Sequence, residues 1–318
     1  MDRPAPSIRR GTNDDIPAAI AVATVALGWN PDEPNEAFFR WKHLENPAGV
    51  SPMWLAIDGD DVAGFRTMLR WNFLSGSGDP LGAVRAVDTA THPDHQRRGI
   101  FRSLSTVAVD ELTAEGVDFV FNTPNDNSRP GYLRMGWREV GRIPTRFSVR
   151  GPRSLPRLAR ARTAATKWSE PCEVGSPIDD VIDDIADLAV ATPSPGGIAT
   201  DRTRPHLLWR YGFEPLHYRV IRADDAGAII RLRRRGSALE AVIAEVFSPS
   251  AAATRALFRR LRRELPADHL LTLAAPPHPA PWLPTLPRLG PRLTVRDLAG
   301  PGPELAQFRF SLGDIELF

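Results

Sequence analysis

The sequence predicts an α/β fold in which helices pack on a mixed, α+β type of sheet. Over residues 7–149, helical and strand patterns alternate in the order β-α-α-β-β-β-α-β-α-β. The second half passes through similar elements in a similar order, which indicates a duplicated fold. At 318 residues the chain also exceeds the usual domain size of roughly 150 residues. We therefore expect domains at residues 1–150 and 172–318, joined by a basic segment at 151–171 that is either a linker or a solvated helix.

Capping residues and periodicity place the elements of the first half. Thr12 precedes an Ala-rich apolar run, which is typical of an N-capped helix. Phe38, Trp41 and Leu44 recur at helical spacing and indicate a second helix. A turn at residues 58–61 separates two strand patterns and predicts a hairpin. The predicted elements are a strand at 7–10, helices at 15–27 and about 35–45, strands at 54–57, 62–73 and 84–91, a helix at 99–115, a strand at 117–121, a short helix near 130–136, and one or two strands at 137–149.

Composition restricts the classes of function. Lys and Arg total 40 against 38 Asp and Glu, and this near balance argues against a dedicated nucleic-acid binder. Cys172 is the single cysteine, which excludes an internal disulfide framework and a cysteine-cluster zinc site. The N-terminus has no apolar signal-peptide core, and no run approaches the roughly 20 apolar residues that span a bilayer. We expect a soluble, cytoplasmic protein that binds no nucleic acid, no membrane and no metal.

A polar loop between a strand and a helix carries the clearest chemical signal. The strand ends at Thr91, and Gln96, Arg97, Arg98 and Gly99 lead into the helix. The unpaired N–H groups of a helix N-terminus, together with its positive dipole end, attract anions. Glycine permits a close backbone approach, and arginine suits phosphate oxygens. The loop therefore predicts a phosphate site, with a solvated basic helix start as the alternative.

This loop resembles the pyrophosphate loop of the GNAT superfamily of N-acetyltransferases, whose pattern is Q/R-x-x-G-x-G/A. Residues 96–100 fit the pattern, while Phe101 stands where the family has a small residue. The resemblance covers about residues 7–149 and implies the GNAT acyl-CoA N-acyltransferase fold, with acetyl-CoA as co-substrate. It also implies that the strand at residues 89–91 diverges from its neighbour and pairs with the pantetheine amides. The cofactor-binding residues expected from it are Thr89, Ala90, Thr91, Gln96, Arg97, Arg98, Gly99, Ile100, Phe101 and Asn125.

A second segment, residues 125–137, resembles the family pattern N-x(6)-Y-x-x-x-G-F, with Trp137 in the place of the final Phe. The match implies that Asn125 contacts the pantetheine arm and that Tyr132 is the general acid that protonates the departing thiolate. A phenol with an ordinary pKa of about 10 stays protonated at neutral pH, as an acid requires. A packed structural tyrosine is the alternative.

The general base is harder to identify from the sequence. A neutral amine must attack the thioester, so a carboxylate or a water relay is expected near the sulfur. Asp88 is the best-placed acidic residue on the strand before the loop, and a hydrogen-bonded structural aspartate at a bulge is its alternative. His92, directly before Pro93, is interpreted as a turn residue rather than a catalyst.

The second half repeats the first without this machinery. Residues 38–47 align without a gap with residues 206–215, and Trp41 falls on Trp209. The corresponding strand-to-helix junction, residues 246–255, lacks the basic loop centred on glycine. We therefore predict a tandem-GNAT arrangement whose degenerate second copy covers the substrate side of the first or supports a homodimer.

These patterns predict an acyl-CoA-dependent N-acyltransferase that transfers acetyl from acetyl-CoA to a small-molecule or peptide amine. Direct attack is expected, because no cysteine lies in the motif region to carry an acyl intermediate. A non-catalytic acyl-CoA-binding or regulatory protein with the same fold is the alternative. The phosphate loop argues against an aminoacyl-transferase that uses charged tRNA.

Overall fold

The computed structural model describes residues 5–193, 196–273, 284–286 and 290–316. Its first part contains the elements in the predicted order, which confirms the mixed α/β prediction. The elements are β1 (Ser7–Arg10), α1 (Ile16–Leu27), α2 (Asn35–Leu44), β2 (Met53–Asp58), β3 (Asp61–Leu74), β4 (Pro80–Thr91), α3 (Ile100–Ala114), β5 (Phe119–Asn122), α4 (Arg129–Arg134), β6 (Arg138–Arg142) and β7 (Thr145–Val149).

The second part continues with a similar alternation of strands and helices. The predicted basic segment contains a six-residue helix, α5. The elements are α5 (Leu155–Arg160), α6 (Ile182–Ala191), β8 (Ala199–Thr200), α7 (Arg204–Tyr211), β9 (Arg219–Ala223), β10 (Ala226–Arg235), β11 (Ala238–Phe247), α8 (Ala251–Glu264), β12 (His269–Leu273), β13 (Thr285–Leu286), β14 (Arg292–Asp297) and α9 (Leu312–Ile315). None of the described helices is long and apolar enough to cross a membrane.

The chain divides into two compact units that do not follow the boundaries expected at residues 150 and 171. Unit 1 comprises Met1–Phe73, Pro80–Val140 and Leu293–Glu304, and unit 2 comprises Leu74–Asp79, Gly141–Arg292 and Leu305–Phe318. Two strands account for the differences at residues 141–150 and 293–304. β14 pairs with β5 in unit 1, and β7 pairs with β12 in unit 2. An alternating pattern identifies a strand but does not say which sheet the strand joins.

The sheet of unit 1 has the strand order β1-β2-β3-β4-β5-β14-β6. β4 and β5 are parallel, whereas β2 is antiparallel to both β1 and β3. Because side chains of a strand alternate between faces, Trp54 and its neighbour Leu55 belong to different cores. Leu55 packs with Phe39 of α2, and Trp54 lies in the same cluster as Leu104 of α3. The sheet is thus covered on both faces. In unit 2 the strand order is β13-β7-β12-β11-β10-β9.

A buried ion cluster joins α2 to β4. Nζ of Lys42 lies 2.7 Å and Nε2 of His43 lies 2.8 Å from Oδ2 of Asp88. Burial alone would raise the pKa of Asp88, but the charge of Lys42 and the hydrogen bond from His43 outweigh it, so this pKa lies well below its ordinary value. Burial lowers the pKa of His43 below its ordinary value despite its contact with Asp88. At neutral pH the cluster therefore contains one ion pair and a neutral imidazole.

Replacing Asp88 by Asn should destabilise the protein strongly, because the charge of Lys42 would remain buried opposite a neutral amide. Removing one partner of a buried ion pair costs about 3–5 kcal/mol. We expect a loss of this size in the free energy of unfolding, measured by urea denaturation at neutral pH. Asp60→Asn, in the exposed turn between β2 and β3, is the matched control and should change stability by less than about 0.5 kcal/mol.

The stability that Asp88 contributes depends on pH, and its lowered pKa sets the direction of that dependence. The stability that ionised Asp88 contributes is present above the ordinary aspartate pKa of about 3.9 and is lost as the pH falls through its lower folded pKa. The difference in the free energy of unfolding between wild type and Asp88→Asn should therefore become smaller in strong acid. Equal stability of Asp88→Asn and Asp60→Asn at neutral pH would show that the cluster does not stabilise the fold.

Candidate active site

β4 and β5 diverge after a short paired stretch. They pair in parallel at only three positions, from Ala83 with Phe119 to Arg85 with Phe121. β4 continues to Thr91, so within the described chain its edge towards β5 is open from Ala86 onwards. The predicted divergence at residues 89–91 is therefore present. An open strand edge offers backbone donors and acceptors to an extended ligand that contains amides.

The backbone of β4 is kinked where the strands separate. Asp88 has a φ of +38°, which is uncommon for a residue other than glycine. The hydroxyl of Thr67 donates to the carbonyl of Val87 at 3.1 Å, and Lys42 and His43 hold the Asp88 side chain. Strained backbone of this kind persists only where its surroundings fix it, and it is concentrated at functional sites.

These contacts bear on the predicted role of Asp88 as general base. A carboxylate whose pKa is held low by Lys42 and His43 has a weak affinity for a proton. The geometry therefore suits Asp88 to fixing the kink rather than to accepting a proton from an amine. Sequence analysis missed Lys42 and His43, although two adjacent basic residues in the otherwise aromatic run of α2 were a visible signal.

The loop after β4 turns sharply into α3. Pro93–His95 forms a 3₁₀ turn in which Nδ1 of His92 accepts the N–H of Asp94 at 3.3 Å, as expected for a turn residue. Arg97 and Gly99 both have positive φ, at +63° and +75°. A Cβ added to Gly99 would meet no atom within 4 Å, so the space in front of its backbone is open.

The first backbone N–H groups of α3 have no acceptor within the helix. The N–H of Ser103 donates to the carbonyl of Gly99 at 3.0 Å, and the amides of Ile100, Phe101 and Arg102 precede it. The positive end of the helix dipole reinforces these donors. α3 has 15 residues, so this end is a strong anion-attracting position beside the open edge of β4.

The two arginines of the loop have different environments. Arg98 forms a two-pronged contact with Asp58, with Nη1 at 2.5 Å from Oδ2 and Nη2 at 3.3 Å from Oδ1. Nδ1 of His95 lies 3.0 Å from the same carboxylate. Arg98 thus fastens the loop to the end of β2, and Arg97, which is exposed, is the cation better placed to meet a ligand. The sequence did not reveal Asp58, because it read only as a turn residue.

Tyr132 is buried on α4 and contacts a buried arginine. Nη2 of Arg66 donates to the Tyr132 oxygen at 2.8 Å. Arginine has only donors, so the phenol accepts here and its own proton is left for another acceptor. Burial raises the pKa of Tyr132 above its ordinary value, although the charge of Arg66 acts in the opposite direction. The phenol is therefore protonated at neutral pH.

Arg66 and Phe101 both lie against the ring of Tyr132. The Phe101 ring meets that of Tyr132 edge to face at 5.2 Å, and the Arg66 guanidinium lies 5.1 Å from the Phe101 ring centre. The bulky Phe101 thus packs on the candidate acid. Arg66 is fully buried in β3, and its Nε and Nη1 have no hydrogen-bond partner among the described residues. An arginine in an alternating strand pattern suggests solvent exposure, so sequence analysis missed it.

Asn125 organises the turn before α4. Its Oδ1 accepts the N–H of Asn127 at 3.1 Å and the N–H of Ser128 at 2.9 Å. The side-chain oxygen is therefore occupied locally, and its amide Nδ2 is the group available for a ligand. No group of three or more His, Cys, Asp or Glu residues in the described chain could hold a metal ion.

Comparisons with known proteins agree with this geometry. Residues 7–140 match the family model of the acetyltransferase (GNAT) domain. The fold is similar to that of a GCN5-related N-acetyltransferase from Kribbella flavida, with a TM-score of 0.63 and 13% identity over 93% of this chain and 72% of that chain. It is also similar to Eis1 from Mycobacterium abscessus, with a TM-score of 0.57 and 17% identity over 92% of this chain and 74% of that one.

A third solved structure is a conserved protein from Enterococcus faecalis V583 described as a probable N-acyltransferase. It has a TM-score of 0.65 and 11% identity over 93% of this chain and 73% of that chain. No curated protein sequence matches the chain. At these identities the solved structures establish the fold, while the sequence match establishes the domain. Residues 7–140 of this chain therefore form an acetyltransferase (GNAT) domain.

Proposed function

We propose that this protein is an acyl-CoA-dependent N-acyltransferase that transfers acetyl from acetyl-CoA directly to an amine. One observation carries the proposal: the open edge of β4 leads within a few residues to the N-terminus of α3. An extended amide chain ending in a pyrophosphate needs these two features side by side. The acceptor is a small-molecule or peptide amine.

The donor would lie along β4 and end at α3. The pantetheine amides would pair with the backbone of Thr89, Ala90 and Thr91, and Nδ2 of Asn125 would contact the same arm. The pyrophosphate would accept from the backbone amides of residues 96–101, with Arg97 adding charge. Arg98 takes part indirectly, because its contact with Asp58 fixes the loop. Phe101 contributes its backbone N–H while its ring supports Tyr132.

The chemistry requires one proton at the sulfur. The amine lone pair attacks the thioester carbon, the C–N bond forms, and the C–S bond breaks to release a thiolate. Tyr132 would protonate this thiolate, and the adjacent Arg66 would stabilise the phenolate that remains. The amine loses its proton to water. Backbone N–H groups at the kink near Asp88 would polarise the thioester carbonyl.

Replacing Gly99 by Glu should abolish binding of CoA and acetyl-CoA. A carboxylate at the helix N-terminus would repel the pyrophosphate, and like charges brought together cost several kcal/mol, so affinity should fall at least about 100-fold. Isothermal titration calorimetry of both ligands measures the change.

Gly116→Glu is the matched control for this variant. Gly116 follows α3 with a φ of +79°, and a Cβ there also meets nothing within 4 Å. Both variants therefore carry the same backbone strain and the same added charge. The proposal requires Gly116→Glu to bind CoA as wild type does. Unchanged binding in Gly99→Glu would place the site elsewhere.

Replacing Tyr132 by Phe should lower kcat and leave CoA binding intact. The loss of a general acid costs roughly 100- to 10,000-fold in rate. Steady-state kinetics with acetyl-CoA and a panel of amines gives the rate, and calorimetry gives the CoA affinity.

Arg66→Met removes the same hydrogen bond but keeps the phenolic proton, so it isolates what the guanidinium contributes by stabilising the phenolate. It should lower kcat less than Tyr132→Phe does. Wild-type activity in Tyr132→Phe would exclude the phenol as the acid. Tight binding of acetyl-CoA without turnover on any amine would instead favour a non-catalytic acyl-CoA-binding protein.

A further inference from the structure

Unit 2 contains a second pair of diverging strands. β11 and β12 pair in parallel at three positions, ending at Val242 with Leu271. β11 continues to Phe247, but beyond the paired stretch the hydroxyl of Thr272 donates to the carbonyl of Ile243 at 3.1 Å. A side chain thus replaces the next backbone contact, and the two strands separate there.

This cleft corresponds in register to the one in unit 1. The first parallel pair of unit 1 contains Ala83 of β4, and the first parallel pair of unit 2 contains Glu240 of β11. Five residues further along, each strand has an acidic residue, Asp88 in β4 and Glu245 in β11. β11 also contains an irregularity opposite Ile229 and Ile230 of β10, immediately before Glu245. Both strands are therefore distorted at this acidic residue or directly beside it.

The two acidic residues also have equivalent partners. The gap-free alignment of residues 38–47 with 206–215 places His43 on Tyr211. His43 contacts Asp88, and the Tyr211 hydroxyl donates to Oε1 of Glu245 at 2.7 Å. In each unit a side chain from the same helical position is bonded to an acid at the same strand position. These equivalences support duplication. They identify the cleft between β11 and β12 as the counterpart of the cleft between β4 and β5.

A cavity of about 640 Å³ occupies this region, and its lining residues within the described chain belong to unit 2. Residues 244–247 of β11 line it, as do Thr272 and Leu273 of β12. Successive side chains of a strand point to opposite faces, so a cavity that touches four residues in a row lies along the strand edge. Its volume falls within the range of about 300–1,000 Å³ that is common for small-molecule sites.

Among the described residues that line the cavity, acidic and basic side chains are equal in number. Its charged lining residues are two acids and two arginines: Asp201, Glu245, Arg202 and Arg309. Arg202 lies between two carboxylates, with Nε at 2.9 Å from Glu245 and Nη2 at 3.0 Å from Asp314. The remaining lining residues are small, hydroxylic or apolar. Such walls suit a neutral ligand that forms hydrogen bonds with the backbone.

The pyrophosphate loop has no counterpart here. β11 is followed by Ser248, Pro249 and Ser250, and proline has no N–H to donate. The hydroxyl of Ser250 accepts the N–H of Ala253 at 3.2 Å, which satisfies a donor of the first turn of α8. No residue of this junction has a positive φ. The cleft is therefore retained without the means to hold a nucleotide.

We propose that the unit 2 cavity binds an extended, uncharged chain of amides along the open edge of β11. Four strand residues span about 13 Å, which accommodates a pantetheine arm without its nucleotide or a neutral peptide of similar length. Both ligands offer alternating amide donors and acceptors with apolar groups between them. This second site does not depend on catalysis in unit 1.

Hydrogen exchange measured by mass spectrometry on the full chain locates such binding. Pantetheine and N-acetyl-tetra-alanine amide are titrated separately to about 10 mM, with CoA as the third ligand. We expect the amides of residues 244–247 to exchange severalfold more slowly with pantetheine, with the peptide, or with both. Which of the two ligands slows exchange shows whether the site takes a pantetheine arm or a peptide. CoA should instead slow exchange in residues 86–101. No slowing at residues 244–247 with either neutral ligand overturns the proposal.

Two substitutions at the rim of the cavity test whether the ligand binds inside it. Ser77→Trp and Val190→Trp each add bulk at an exposed lining residue, and Val190 is 88% exposed, so both should fold normally. Each should raise, at least tenfold, the ligand concentration that is needed to slow exchange at residues 244–247. Val25→Trp, on α1 and 55% exposed, is the matched control and should behave as wild type. Full protection in both rim variants would show that the ligand binds elsewhere.

Discussion

The separation of β4 from β5 is the feature on which the candidate site depends, and the buried cluster of Lys42, His43 and Asp88 holds β4 within the separated stretch. A strand that leaves its neighbour exposes backbone groups that must find other partners. Here the kink at Asp88 is held from α2 by an ion pair and from β3 by the Thr67 hydroxyl. Side-chain contacts from two neighbouring elements thus hold the open edge at this kink.

A second set of contacts prepares the chemistry beside this edge. Asp58 holds Arg98 and thereby shapes the loop that leads into α3. Arg66 lies buried against the Tyr132 phenol, where burial keeps the proton on the oxygen and the guanidinium can compensate the charge that its loss creates. Both arginines act on other groups of the protein. The cation that faces outward from the loop is Arg97.

Local patterns predicted the elements of the first half and the loop, because capping, periodicity and glycine positions act within a few residues. They predicted the separation at residues 89–91 only through family resemblance. The contacts of Asp58, Arg66 and Lys42 join residues 40 or more positions apart, and no local pattern encodes them. The same holds for β7 and β14, whose strand patterns are clear while the sheets they join depend on distant partners.

The central claim is that the donor lies along β4 and ends at the N-terminus of α3. A crystal structure of the protein with CoA tests it most directly. The account predicts pyrophosphate oxygens within about 3.2 Å of the backbone nitrogens of residues 96–101, and pantetheine amides paired with residues 89–91. CoA bound with its pyrophosphate away from this loop, or in the cavity of unit 2, would contradict the account.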